Sequence, residues 1–249
     1  MSESLKKLKD FTTARVALGR SGHSIPSKAH LKFRLDHAEA KDAVHLPIDY
    51  SKIEEFLAKE GVDFVTLTSK AGTREVYLQR PDLGREVDTR SKEILSDIKK
   101  PDSGCDIALV IEDGLSAKAI HEQAIPFLQA LLPLLSVSGT KIRPVALVHQ
   151  GRVAIGDEIG KLMKAKLVAV LVGERPGLTV PNSLGVYLTY DPKPGLTDES
   201  RNCISNIHKE GLSHSLAAAK LKYLIDQSMS LKLSGVGLKE NFDSGNIIS

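Results

Sequence analysis

The chain is expected to be an α/β protein, with a doubly wound, mostly parallel sheet after a smaller helical or α+β N-terminal region. Three observations predict this. From Cys105 onward, apolar runs of strand length alternate with helical stretches, the pattern of consecutive βαβ units. The runs Asp106–Ile111, Pro144–Val148 and Lys166–Val172 are apolar without alternation, as in strands covered on both faces. Pro101-Asp102-Ser103-Gly104 is the best linker in the chain and separates residues 1–103 from 104–249.

In chain order, Lys6 to Phe11 is a basic lead-in. Thr13 to Gly22 holds two arginines and two glycines. It reads as an arm packing on a partner rather than as an anion grip, because glycine spacing alone is a weak signal. Ser24 and Pro26 open a helix over Ser27–Val44, with Leu31, Leu35 and Ala38 at helical spacing. Asp36, His37, Glu39 and Asp42 on it read as a solvated or interfacial face rather than a metal site. Val62–Leu67 and Glu75–Leu78 read as short strands. Arg80 to Arg85 is a turn into a helix striped by Leu83, Val87, Ile94 and Ile98, running to Lys99.

After the linker, Glu112-Asp113-Gly114-Leu115-Ser116 leads into a helix over Ala117–Leu135, with Pro126 placed to kink it. A short helix over Asp157–Met163 connects the second and third strands. Ser183–Tyr190 is a fourth strand and His214–Leu233 a closing helix. Residues Asp198 to Ile207 show neither helical nor strand period and read as a polar loop. The tail from Gly235 to Ser249 is either loose or clasps a partner.

Composition bounds the function. In 249 residues, 41% are hydrophobic and 26% charged, an ordinary soluble balance with enough chain for a sizeable core. A net charge of +3, 4% aromatics and no Trp argue against nucleic acid. No apolar run reaches membrane-spanning length, and Met1 to Lys9 has no signal-like apolar stretch. Cys105 and Cys203 cannot make a zinc site alone and suit free thiols in a reducing compartment.

Parallel strands place the loops Glu112–Ser116, His149–Val153 and Gly173–Gly177 on one sheet edge, where open α/β sheets bind ligands. The stretch from Leu171 to His208 organises this edge, joining a buried strand to a loop dense in donors and acceptors. Neither G-x-G-x-x-G nor G-x-x-x-x-G-K-[ST] occurs, so pyrophosphate cradling is poorly supported. Asp113 is a nucleophile or metal ligand on one reading and the cap of the next helix on the favoured one. His149 is a general base or, more commonly, a satisfied histidine at a strand end. Glu174 either pairs with Arg175 or is an acceptor at the crevice rim. Cys203 lacks an evident His–Asp partner, so a ligand-contacting or inert thiol is favoured over a nucleophile. No self-sufficient catalytic set emerges. The chain reads as a subunit that seats a large cofactor.

Several motifs together resemble one family. They are Ala14-Arg15-Val16 with Gly19-Arg20-Ser21-Gly22, Arg34-Leu35-Asp36-His37, Leu78 to Arg85, Glu112 to Ser116, Gly151-Arg152-Val153, Val172 to Gly177, and Arg201 to Ile207. In combination they resemble the small (light) subunit of ethanolamine ammonia-lyase, over roughly residues 12 to 233. The resemblance implies an adenosylcobalamin-dependent lyase converting ethanolamine to acetaldehyde and ammonia by a radical route. It implies a Rossmann-like domain holding the cobalamin against a large catalytic subunit, and cofactor contacts at Val153, Glu174 and Cys203. Corrin is a broad apolar disc rimmed by amides: Glu174 can accept from them, Val153 can pack on the ring, and Cys203 offers a soft contact. The cofactor does the radical chemistry while the protein orients it.

The D-x-H-x-x-G pattern, by which some cobalamin proteins ligate cobalt, does not occur, since Asp36-His37 lacks the spacing. The cofactor is therefore expected base-on. The chain begins close to the first motif and reads as lacking the longer N-terminal extension associated with microcompartment targeting. A cytoplasmic setting is expected, with a bacterial microcompartment left open. Two alternatives stand: a stand-alone Rossmann-type nucleotide-binding enzyme, and a purely structural interaction subunit.

Overall fold

The structure, a computed structural model, describes residues 7, 11–12, 14–98, 105–142, 144–239 and 242. The linker Pro101–Gly104, Thr13 and nearly all of the tail beyond Lys239 lie outside the described residues.

Helix α1 (Ser27–His45) has Pro26 just before it. It buries only Asp36, Ala40 and Ala43, so the Leu31 and Leu35 stripe faces outward. Arg15 and Lys32 both pair with Asp36, at 2.7 and 2.6 Å. The expected acidic face thus includes a buried, neutralised carboxylate. Helix α2 (Ser51–Lys59) follows, turning Ile53 and Leu57 into the core. The sequence reading did not mark it. Strand β1 is Phe64–Thr68.

Two expectations in the next stretch are corrected. Glu75–Leu78 is not a strand but part of α3 (Arg74–Gln79), whose first turn is capped by Thr73 accepting from the Val76 amide. Four residues are too few for periodicity to separate helix from strand. The helix expected from Leu83 begins only at Thr89, as α4 (Thr89–Asp97). Asp88 caps it by accepting from the Ser91 amide at 2.7 Å. Leu83–Arg85 is a separate 3-10 turn, and Val87 bridges to Ser69.

Strand β2 (Cys105–Glu112), helix α5 (Ala117–Val137), strand β3 (Val145–His149), helix α6 (Ile155–Leu162) and strand β4 (Ala165–Gly173) follow the predicted alternation. Helix α5 runs across both Pro126 and Pro133. Strands β5 (Leu184–Tyr190) and β6 (Arg201–Ile207) and helix α7 (His214–Leu231) complete the order.

The strands form one six-stranded sheet in the order β1-β3-β2-β4-β5-β6. The pairs β1–β3, β3–β2 and β2–β4 are parallel, while β4–β5 and β5–β6 are antiparallel. The sheet is therefore mixed: the expected parallel part is β1-β3-β2-β4, and the antiparallel β5 and β6 depart from the doubly wound expectation. The physical reason lies in the connections. Parallel strands need a crossover, usually helical, whereas no helix separates β4 from β5.

Asp198–Ile207 is likewise not a loop. Ile207 pairs with Leu184 and Ile204 with Val186, so three residues of β6 span two of β5. That bulge, with Asn206 at φ +63°, erases the two-residue period the sequence was searched for.

Helices cover both faces. Ile107, Leu109 and Ile111 of β2 pack with α2, α5 and α7, while Ala108 and Val110 pack with α4 and α6. Strand β1 joins the sheet beside β3, so residues before the linker share the sheet with those after it. Among the described residues no helix is long and apolar enough to cross a membrane.

Candidate functional site

Strands β2, β3 and β4 lie side by side and parallel, so their carboxyl ends share an edge. The chain leaves β2 toward β3 and returns past it to β4, so the edge of β2 and β4 is a topological switch point. The three expected loops do meet there. The Leu115 amide donates to the Gly173 carbonyl at 3.0 Å, and the Gly151 amide to Asp113 Oδ1 at 3.3 Å. Arg74 Nη1 adds a bond to the Gly114 carbonyl at 2.7 Å.

Glycine permits this approach. A Cβ on Gly114, already at φ +53°, would stand 2.3 Å from Val172 Cγ2, and one on Gly173 would stand 2.1 Å from the Ser116 carbonyl. Asp113 is not the helix cap that was favoured; Ser116 caps α5 through the Ala119 amide at 3.1 Å. Asp113 instead ties the β2 and β3 loops together, and burial raises its carboxyl to about 6 against the pull of Arg74.

Between these loops and β5 lies a cleft of about 400 Å³, lined among others by Tyr77, Glu112, Arg152, Val153, Glu174 and Tyr187. A second hollow of about 380 Å³ adjoins it, sharing Arg152, Val153 and Tyr187 and adding Arg85, Asp198 and Arg201. Arg201 is anchored in this wall. Its guanidinium meets Asp157 bidentately at 2.7 and 2.7 Å and donates to Thr189 Oγ1 at 3.1 Å. Burial pushes the Asp157 carboxyl up and the Arg201 bonds pull against it.

Val153 lines both hollows, at the turn before α6. Glu174 follows β4 directly. Its carboxylate accepts from the Ser183 hydroxyl and from the Asn206 amide at 3.3 Å. Gly185 leaves room for it, since a Cβ there would stand 3.1 Å from Glu174 Oε1. Cys203, on β6, is exposed and sits opposite Tyr187 in the ladder. Desolvation pushes the Tyr187 hydroxyl and the Cys203 thiol up, and the Glu174 charge adds to it. Of the three residues singled out as cofactor contacts, Val153 and Glu174 line the cleft together with Tyr187, whereas Cys203 lines neither hollow and stands beside the site as the ladder neighbour of Tyr187. His149 is not among the residues lining either hollow. Its ring stacks edge-on to Tyr50 at 5.1 Å, and burial lowers its pKa.

The sequence reading missed Glu112 and Tyr77. Both line the cleft, are almost wholly inaccessible, and have side-chain oxygens without a hydrogen-bond partner. Burial, then the neighbouring Asp113, pushes the Glu112 carboxyl well above its ordinary value, with Arg152 and Arg201 opposing. The sequence signal was available: a glutamate closing an otherwise apolar buried strand is costly unless something pairs it.

Chemically, this edge can seat and orient a ligand. Cys203 has no histidine partner, and no group of three His, Cys, Asp or Glu side chains fit for a metal occurs among the described residues. The class is thus an α/β protein with a cleft at its strand ends and, among the described residues, no evident catalytic set.

The family described as "Ethanolamine ammonia-lyase light chain (EutC)" matches residues 2–239. The ethanolamine ammonia-lyase small subunit of Pseudomonas putida is 49% identical over 243 residues, covering 97% of this chain and 89% of that one. That of Pseudomonas fluorescens is 50% identical over 235 residues, covering 94% and 85%. That of Azotobacter vinelandii is 48% identical over 236 residues, covering 94% and 87%. The chain belongs to the ethanolamine ammonia-lyase small-subunit family, and with it to the lyases.

Proposed function

We propose that this chain seats adenosylcobalamin against a large subunit, within an enzyme that converts ethanolamine to acetaldehyde and ammonia. One observation carries the reading: Val153, Glu174 and Tyr187 line one cleft, with Cys203 opposite Tyr187 in the ladder. The cleft suits a corrin. Val153 and Tyr187 offer apolar surface, Glu174 offers a charged acceptor to rim amides, and buried oxygens at Glu112 and Tyr77 await partners. Adenosylcobalamin, when bound, supplies the radical chemistry; the chain's residues hold the ring and exclude water from one side. The base-on state of the cofactor rests on the missing D-x-H-x-x-G pattern in the sequence. The Glu174 carboxylate in the cleft wall disfavours the stand-alone nucleotide enzyme, whose phosphates it would repel.

The name small subunit implies a larger partner. Residues 1–103 carry the surface proposed to meet it: Ile25, Leu31, Phe33 and Leu35 are all exposed. Residues 104–249 supply most of the seat, with Tyr77 and Arg85 added from the first segment. The proposed setting is the cytoplasm, with enclosure in a bacterial microcompartment as the alternative.

The test is reconstitution. This chain alone should be inert; with the large subunit and adenosylcobalamin, ethanolamine deamination should appear. In that complex Glu174→Ala should weaken cobalamin binding by about 1–3 kcal/mol, the usual loss when buried partners are stranded. Unchanged cobalamin affinity would leave a purely structural subunit as the better description.

A further inference from the structure

We propose that Glu112, with Tyr77 beside it, is a further ligand-binding residue, which takes a primary carboxamide of the bound molecule. The inference rests on the cobalamin seat proposed above, since the corrin rim carries such amides.

Glu112 closes β2 and is fully buried, and both its carboxyl oxygens lack a hydrogen-bond partner. Tyr77 Oη, from α3, lines the same cleft and is also unpartnered. Buried polar groups without partners are rare and call for a specific cause. The cost is maintained by sequence: a Cβ on Gly151 would stand 2.4 Å from Glu112 Oε2, so glycine there makes room for the carboxyl.

The charged and titratable groups facing Glu112 are Asp113 from its own strand end, Arg152 from the β3–α6 loop, Arg201 from β6, and Tyr77 and Tyr50. Burial outweighs the two arginines and favours the neutral carboxyl. A neutral carboxyl presents one donor and one acceptor side by side. A primary amide is its complement: the carboxyl O–H donates to the amide oxygen, and an amide N–H donates to the carboxyl carbonyl. The Tyr77 hydroxyl can donate to the amide oxygen's second lone pair. A phosphate or carboxylate ligand would leave the acceptor half unsatisfied.

The experiment is cobalamin binding by equilibrium dialysis, on the complex of this chain with its large subunit. Glu112→Gln keeps a donor and an acceptor, so its affinity should stay within about threefold of wild type, while Glu112→Ala should lose on the order of tenfold or more. Wild-type affinity should fall as rising pH ionises Glu112, and Glu112→Gln should remove that fall. A cobalamin carrying N,N-dimethylation at one rim amide probes the same bond without altering the protein. One such isomer should bind wild type weakly yet show no added deficit with Glu112→Ala. Normal binding by Glu112→Ala, or equal wild-type affinity for every dimethylated isomer, overturns the inference alone. A wild-type complex that binds no cobalamin overturns the seat and this inference together.

Discussion

Replacing Arg201 by methionine probes how the cleft wall is held. Arg201 and Asp157 meet through two 2.7 Å contacts, with side chains 2% and 1% exposed. A surface pair would contribute about 0–1 kcal/mol, but water cannot rescue this carboxylate. Arg201→Met strands Asp157 in the core and also removes donors from Thr189 Oγ1 and the Leu196 carbonyl. Breaking one side of a buried pair costs about 3–5 kcal/mol. For a chain of this size each kcal/mol moves the midpoint by about 2–4 °C, so Tm should fall by roughly 10 °C. Urea unfolding followed by circular dichroism measures the loss directly. Asp157→Leu should cost a similar amount, because it leaves a buried guanidinium. The double variant should cost clearly less than the sum, with a coupling of about 2 kcal/mol or more, since it strands neither charge. A loss under about 1 kcal/mol for Arg201→Met, or strictly additive single losses, would refute this account of the wall.

Three further outcomes are expected. Asp113 titrates near 6 in the fold, above its ordinary 3.8, so its contribution to stability is present below about pH 4 and disappears as pH rises toward 6. Asp113→Asn should lack that fall, worth on the order of 3 kcal/mol, in urea titrations at stepped pH. Gly173→Ala drives a Cβ into the Ser116 carbonyl, and should cost about 1–3 kcal/mol in the same assay. Leu31→Glu with Leu35→Glu lies on the outward face of α1, so stability should hold within about 0.5 kcal/mol while co-purification with the large subunit drops. Retained co-purification would move the partner surface elsewhere.

Much of this molecule is written in local pattern. Unbroken apolar runs announced β2, β3 and β4 because strands covered on both faces need no polar side. Their shared direction then put three loops at one edge, so the crevice, with Val153 and Glu174 in its wall, was legible before any coordinates. Family motifs added Cys203, which the fold places against Tyr187 rather than in a free loop. What was not legible depends on partners distant along the chain. Strand β6 hid its period behind a bulge that exists only against β5. The turn of α3 was set by Thr73 rather than by an apolar rhythm, and the α5 cap went to Ser116 because Asp113 was drawn to Gly151 and Arg74. Above all, Glu112 reads in one dimension as an ordinary loop-edge glutamate. Its meaning comes from burial without a partner, and burial is a property of what packs around a residue, which only the tertiary structure decides.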